Sequence, residues 1–291
     1  MKKHAIIVCA WLCYLSALAQ KPDPFKPDFS EPKAIPGMKL VWNDEFNTNG
    51  KPDPKNWRHE QGFVRNQETQ WYQADNAICK DGVLLIEGKK EAIKNPDYVA
   101  GSNDWRKNRE YAEYTSSSIQ TRGLKQWQFG RIEVRARIDT AMGSWPAIWT
   151  LGVSKPWPSN GEIDIMEFYR VNNVPTILAN TAWGTNTAYK AKWDDQKIPL
   201  QHFTAKDKDW VMKFHTWRMD WDKDTINLYL DDELLNSTAL SETINADGSN
   251  GFLQEHYLLL NLAIGGINGG KAINNLIKYE VDYARVYQKA D

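Results

Sequence analysis

Glu162-Ile163-Asp164-Ile165-Met166-Glu167 sets three carboxylates into an otherwise apolar run. Side chains alternate faces along a strand, so Glu162 and Asp164 point one way and Ile163 and Ile165 the other. Water-facing acids need no Ile-Ile-Met interleaving. A core strand tolerates no unpaired carboxylate, because burying one costs several kcal/mol or makes it take up a proton. The pattern therefore describes a strand with one face in a core and the other carrying a partly desolvated acidic site.

Glu167 is out of phase, and in a regular strand it would join the isoleucines. A β-bulge at Ile165–Met166 adds one residue and returns it to the carboxylate face. The two glutamate Cα atoms then lie about four strand steps apart, on the order of 13 Å. Inward-leaning side chains bring their carboxyl groups toward the ~5–5.5 Å of retaining glycosidases, whereas the ~6.5–9.5 Å of an inverting pair needs them more upright. Glu162 is the expected nucleophile and Glu167 the expected acid, then base. Asp164, between them, is expected to hydrogen-bond one glutamate and hold the pair in unlike protonation states. A calcium loop is the rival reading, but such loops are built on Asp/Asn/Gly-rich flexible backbone. An acidic edge strand is the other.

Outward from this strand, short alternating segments dominate. Val83–Ile86, Ser118–Thr121, Arg131–Ala136, Thr225–Leu230 and Tyr257–Leu260 read as strands separated by turn clusters such as Lys80-Asp81-Gly82. No long helical periodicity or repeat is apparent, which predicts an all-β, two-sheet antiparallel sandwich. Glu91–Tyr114 and Tyr189–Trp210 read as long polar loops of the kind that line binding sites.

The N-terminus reads as a leader (1–19): Lys2-Lys3, an apolar stretch from Ala5 to Leu15, and Ala17-Leu18-Ala19 before Gln20. Export to the periplasm or medium is the expectation, with no membrane span left after cleavage. Residues 20–36 are proline-rich and read as an extended linker, leaving one domain at 37–291. Cys9 and Cys13 depart with the leader, so Cys79 remains alone, expected as a buried thiol rather than a nucleophile. A formal net charge of −1 without a basic stripe argues against nucleic acid or a membrane surface as partner. A monomer is expected.

Gly161-Glu162-Ile163-Asp164-Ile165-Met166-Glu167 resembles the signature of glycoside hydrolase family 16 in its bulged form. Leu40–Phe46, Phe129–Arg135, Gly143–Trp149, Leu260–Gly266 and Val281–Tyr287 are similar to further segments of that family, so the resemblance runs from about Lys39 to Gln288. It implies a concanavalin-like jelly roll whose concave sheet forms a substrate cleft, and a retaining endo-β-glycosidase that needs no cofactor for its chemistry. The implied substrate is a β-linked polysaccharide or oligosaccharide, first a laminarinase-like β-1,3(4)-glucan. Poly-N-acetyllactosamine, mucin-type glycans or an algal galactan are the alternative, because Thr181-Ala182-Trp183 replaces the Leu-His-Trp of many laminarinases. Asn66-Gln67-Glu68-Thr69-Gln70-Trp71 likewise departs from the usual pattern. A transglycosylase and a non-catalytic lectin on the same fold are the more distant readings.

Fourteen tryptophans supply the second chemistry, since sugar C–H faces stack on aromatic planes. Trp42, Trp217 and Trp221 sit in strand-like alternation and are expected in the core. The resemblance makes Trp145 a wall at the cleaved bond. Trp149, on the same face, divides evenly between subsite and core, and Trp183 is expected to face the ligand. It also places Trp71 on the non-reducing side of the bound chain, with Asn66, Glu68 and Gln70 hydrogen-bonding sugar hydroxyls, although each of the three would equally pin a loop. Some relatives hold a structural calcium, for which Asp282 matches one ligand. An ion pair of Asp282 with Arg285, or a backbone cap, is the competing reading.

Overall fold

Period-two patterning sends one face of each strand into a shared interior, and two sheets close over it. The computed structural model describes residues 22–271 and 276–290, so the expected leader, with Cys9, Cys13 and Trp11, lies outside the described residues. Among them, a seven-stranded antiparallel sheet runs in spatial order Ala191–Pro199, Val174–Gly184, Glu162–Val171, Ser144–Gly152, His256–Ile264, Ser118–Gln120 and Arg58–His59. A ten-stranded sheet faces it, with Leu276–Lys289 between Gly130–Ile138 and Val83–Lys94, and His215–Trp221 beyond Gly130–Ile138. Among the described residues all strand pairings but one are antiparallel; Gln70–Tyr72 runs parallel to Tyr111–Ser116. The all-β antiparallel jelly-roll sandwich read from the sequence is the fold.

The acid-bearing strand contributes Ile163, Ile165, Met166 and Phe168 to the main core, all fully buried. There they join Val134, Trp217 and Met219 of the facing sheet. Each such side chain stabilises the sandwich by roughly 1.5–3 kcal/mol. Trp42 and Trp221 lie in the same core, as does the thiol of Cys79, which burial pushes up to about 12. It is inert as a nucleophile at neutral pH.

From Pro22 on, the stretch read as a linker docks against the ten-stranded sheet, turning at residues 24–26. Arg135 donates to the carbonyls of Asp23 and Lys26 at 2.9 and 3.0 Å, and the amide of Asp28 donates to Asp282 at 3.0 Å. Asp282 is buried and ion-paired with Arg135 at 2.5 Å, whereas Arg285 pairs with Glu45. Of the two readings of Asp282, the backbone cap is present in the bond from the Asp28 amide, whereas the Asp282–Arg285 pair is corrected: the register shifts at Asp282, and its partner is Arg135 of the neighbouring strand, whose guanidinium lies on the face away from the core beneath residues 23–28. The Asp282 oxygens serve these donors, and among the described residues no group of three or more His, Cys, Asp or Glu could hold a metal ion.

Both expected loops are in part strand. Ala191–Pro199 pairs with Val174–Gly184 along its whole length and forms the edge of the seven-stranded sheet. Its charged Lys192, Asp194, Asp195 and Lys197 hide the alternation, and charges on an edge discourage pairing with other chains. Of Glu91–Tyr114, only residues 95–110 remain outside strands.

Candidate active site

The strand Glu162–Val171 sits third from the edge of its sheet, flanked on both sides, and its register slips by one residue on both flanks. Asp164 pairs with Trp149 and Met166 with Ile148, which leaves Ile165 as the extra residue. On the other side Asp164 pairs with Asn180 and Glu167 with Leu178. The bulge expected at Ile165–Met166 is present. It keeps both residues in the core and turns Glu162, Asp164 and Glu167 toward one cavity of about 720 Å³.

The three acids receive different partners. Trp157 donates its indole N–H to Glu162. Trp145 donates to Glu167 at 2.9 Å, and Asn180 reaches both Glu167 at 3.2 Å and Asp164 at 3.3 Å. Burial pushes Glu167 up to about 7; the charge of Glu162 adds to this, and the bonds from Trp145 and Asn180 oppose it. Burial also raises Glu162, but hydrogen bonds from Trp157 and Asp164 and the charge of Arg65 pull it back. Asp164 is raised well above the carboxylate range by burial, then by the charges of Glu167 and Glu162. Its hydrogen bond to Glu162 raises it further and lowers Glu162, and its Oδ1 has no hydrogen-bond partner among the described residues. The three carboxyls thus differ in environment: Asp164 is raised well above the ordinary range, Glu167 to about 7, and Glu162 is raised by burial but pulled back by its donors and by Arg65, the kind of disparity that separates an acid from a base. Their titration belongs to the coupled group.

A second wall comes from a loop. Asn66 and Gln67 both take left-handed backbone conformations, turning the chain so that Asn66 and Glu68 line the cavity. This turn docks on Gly266, where a Cβ would stand 2.8 Å from the Asn66 carbonyl, so only glycine permits the approach. The guanidinium of Arg65 lies over the Trp149 ring at 5.0 Å and pairs with Glu60, and its Nη1 has no partner among the described residues.

Of the expected sugar-binding residues, Trp145, Trp149, Asn66 and Glu68 line the cavity. Trp149 donates to Asn261 at 2.7 Å, which fixes its ring. Gln70 pins a loop: it donates to Glu68 at 2.6 Å and accepts from the Ile264 amide at 2.8 Å. Two expectations are corrected. Trp183 packs in the inter-sheet core, because Ala182 is the residue opposite Glu162 and the next side chain must point inward. Trp71 is buried with Phe63 and Ala112 beneath the loops and does not reach the cavity.

Sequence reasoning missed Trp157, Asn180, Arg65, Tyr189 and Trp193, all of which line the cavity. Asn180 is selected only once the pairing of Ala182 with Glu162 places the even positions of its strand on the face of the acids. Trp157 lies in an irregular turn without periodicity, and Trp193 on the edge strand read as loop.

Comparison with known proteins gives the same picture. The β-glucanase of Rhodothermus marinus is 34% identical over 271 residues, covering 87% of this chain and 86% of that protein. Among solved structures, one described among the endo-acting O-glycanases that prominent members of the human gut microbiota express to initiate mucin breakdown is 35% identical. Its TM-score is 0.79, with 89% of this chain and 94% of that one covered. A non-specific endo-β-1,3(4)-glucanase, SCLam, solved with 1,3-β-D-cellobiosyl-glucose at its active site, is 35% identical with a TM-score of 0.70, covering 91% and 100%. With the model of glycosyl hydrolases family 16 matching residues 66–285, the chain belongs to that family and is a glycoside hydrolase acting on internal glycosidic bonds.

Proposed function

We propose that the protein is a retaining endo-β-glycosidase, laminarinase-like in acting on a β-1,3(4)-glucan, with Glu162 as nucleophile and Glu167 as acid and base. The observation that carries this is the bulged strand, which turns two glutamates of unlike environment into one cavity. In the first step Glu162 attacks the anomeric carbon while Glu167 gives its proton to the departing glycosidic oxygen, leaving a glycosyl ester on Glu162. Glu167, now a carboxylate, takes a proton from water, whose oxygen attacks the same carbon and releases Glu162. Asp164 donates its hydrogen bond to Glu162, so it supports the nucleophile without adding a second negative charge beside it.

A second reading keeps the chemistry and changes the sugar: an endo-β-galactosidase-type enzyme on mucin-type glycans or another galactose-containing chain. The likeness to the mucin O-glycanase structure favours it, as does Ala182, which places no hydrogen-bond donor beside Glu162. Export as a periplasmic or secreted monomer, with the chain beginning in a cleavable leader, belongs to the same proposal.

The test is a substrate panel of laminarin, lichenan, agarose, carrageenan, keratan sulfate and mucin glycans, with the oligosaccharide products sized. Products from laminarin or lichenan support the first reading, and products only from galactose-containing glycans the second. No release of oligosaccharides from any of them would sink both.

A further inference from the structure

The register of the seven-stranded sheet extends each acid of the catalytic strand into a row of three residues. Glu162 pairs with Ala182 and Ala182 with Trp193; Asp164 with Asn180 and Asn180 with Asp195; Glu167 with Leu178 and Leu178 with Lys197. Every second residue of the edge strand therefore shares the face of the acids, about 10 Å away across two strand spacings. Trp193 is 45% exposed there, although most tryptophans of this chain are buried. An edge-strand tryptophan half open to solvent finds no justification in core packing. Tyr189 stands beside the same cavity, 76% exposed, on backbone in the left-handed region, where a bulky residue is rarely held. Asp195 and Lys197 pair with each other on the same face, so the flank carries polar groups but no uncompensated charge.

The geometry points to a sugar-binding subsite on this edge strand, with Trp193 as the stacking platform and Tyr189 as its rim. It takes a neutral pyranose ring of the substrate chain, at the end of the cavity away from Asn66 and Glu68. This subsite rests on the glycosidase reading of the same cavity and extends it: the cavity grips its polysaccharide on both sides of the acids. A tryptophan presents a flat apolar face and an N–H at its edge, the combination that a sugar ring with a C–H face and equatorial hydroxyls matches. The charge-balanced Asp195–Lys197 pair offers a donor and an acceptor to hydroxyls while selecting neither an anionic nor a cationic substituent.

The experiment uses the full chain carrying Glu162→Gln, so that ligands bind without turnover. Laminarihexaose and a poly-N-acetyllactosamine hexasaccharide are titrated by calorimetry, with tryptophan fluorescence as a second readout. At least one is expected to bind the parent. Trp193→Ala in that background is expected to weaken the same hexasaccharide at least tenfold, Tyr189→Ala by a smaller factor, and Trp193→Phe to recover most of the loss. Thermal unfolding of all variants is expected to match the parent, since the side chain is half exposed. Unchanged hexasaccharide affinity in Trp193→Ala would overturn the subsite alone. An equal loss in Trp193→Phe would also overturn it, because stacking would not be the cause. Binding of neither hexasaccharide to the parent would overturn the substrate reading and the subsite with it.

Discussion

The indole nitrogen of Trp145, on the strand next to the acid-bearing one, lies 2.9 Å from Oε1 of Glu167. This bond favours the charged form of Glu167 and so opposes the burial that raises it to about 7. Trp145 is thus both a wall of the cavity and a regulator of when Glu167 gives up its proton.

Replacing Trp145 by Phe keeps an apolar wall and removes that donor. The Glu167 carboxyl should rise further, and the alkaline limb of the kcat/KM profile, which reports loss of the acid's proton in free enzyme, should move to higher pH. In the parent that limb should begin near 7. A profile measured from pH 4 to 10 on both proteins checks this, and an alkaline limb that stays in place or moves down would remove the role.

Trp157 acts on the opposite limb. Its hydrogen bond lowers Glu162, so Trp157→Phe should leave this proposed nucleophile protonated to higher pH and shift the acid limb upward. Losing a hydrogen bond to a charged group costs about 1.5–3 kcal/mol, which predicts a fall in kcat/KM of roughly ten- to a hundredfold near the acid limb. The fall should shrink as pH rises. A pH-independent loss would show instead that Trp157 contacts the substrate.

Glu167 also links pH to stability. Its carboxyl is raised from an ordinary 4.5 to about 7 by folding, so the folded state binds its proton more tightly than the unfolded chain. That contribution is full below pH 4.5 and is lost as pH rises through 7. Glu167→Gln cannot ionise, so its stability relative to the parent should grow across this window, by roughly 1–3 kcal/mol. Melting temperatures of both proteins at intervals from pH 4 to 8.5 test it. A constant difference between the two curves would show that Glu167 is not raised by folding.

The Asp282–Arg135 pair makes a prediction about the fold. Removing one partner of a buried pair leaves the other charge uncompensated, at about 3–5 kcal/mol. Asp282→Ala should therefore lower the denaturation midpoint sharply, and it also removes the acceptor that holds the Asp28 amide. Urea unfolding followed by fluorescence measures this; a change under 1 kcal/mol would mean that the pair is water-accessible.

How much of this was legible in sequence differs by residue. The bulge could be placed at Ile165–Met166 because only one extra residue reconciles three acids with three core side chains, and phase is a strict constraint. Trp217 and Trp221 were placed by the same rule. Trp183 was not legible because the segment Asn180–Gly184 does not itself show its phase: only the pairing of Ala182 opposite Glu162 turns the next residue toward the core. Trp71 was lost to a parallel pairing, Gln70–Tyr72 with Tyr111–Ser116, that brings together segments about forty positions apart and leaves no local pattern. The edge strand Ala191–Pro199 escaped because most of its residues meet solvent, so it has no alternation to read. The roles of Trp157 and Arg65 depend on loops folding back over the sheet, which period-two reasoning does not reach.

Double displacement by Glu162 and Glu167 on a β-linked chain, as proposed, fixes the configuration of the first product. Proton NMR of the reducing ends released in the first minutes of digestion, before mutarotation, tests it most directly. Two displacements retain the configuration, so the β-anomer should appear first and the α-anomer grow in afterwards. First appearance of the α-anomer would show direct attack by water and contradict the assignment of Glu162 as nucleophile.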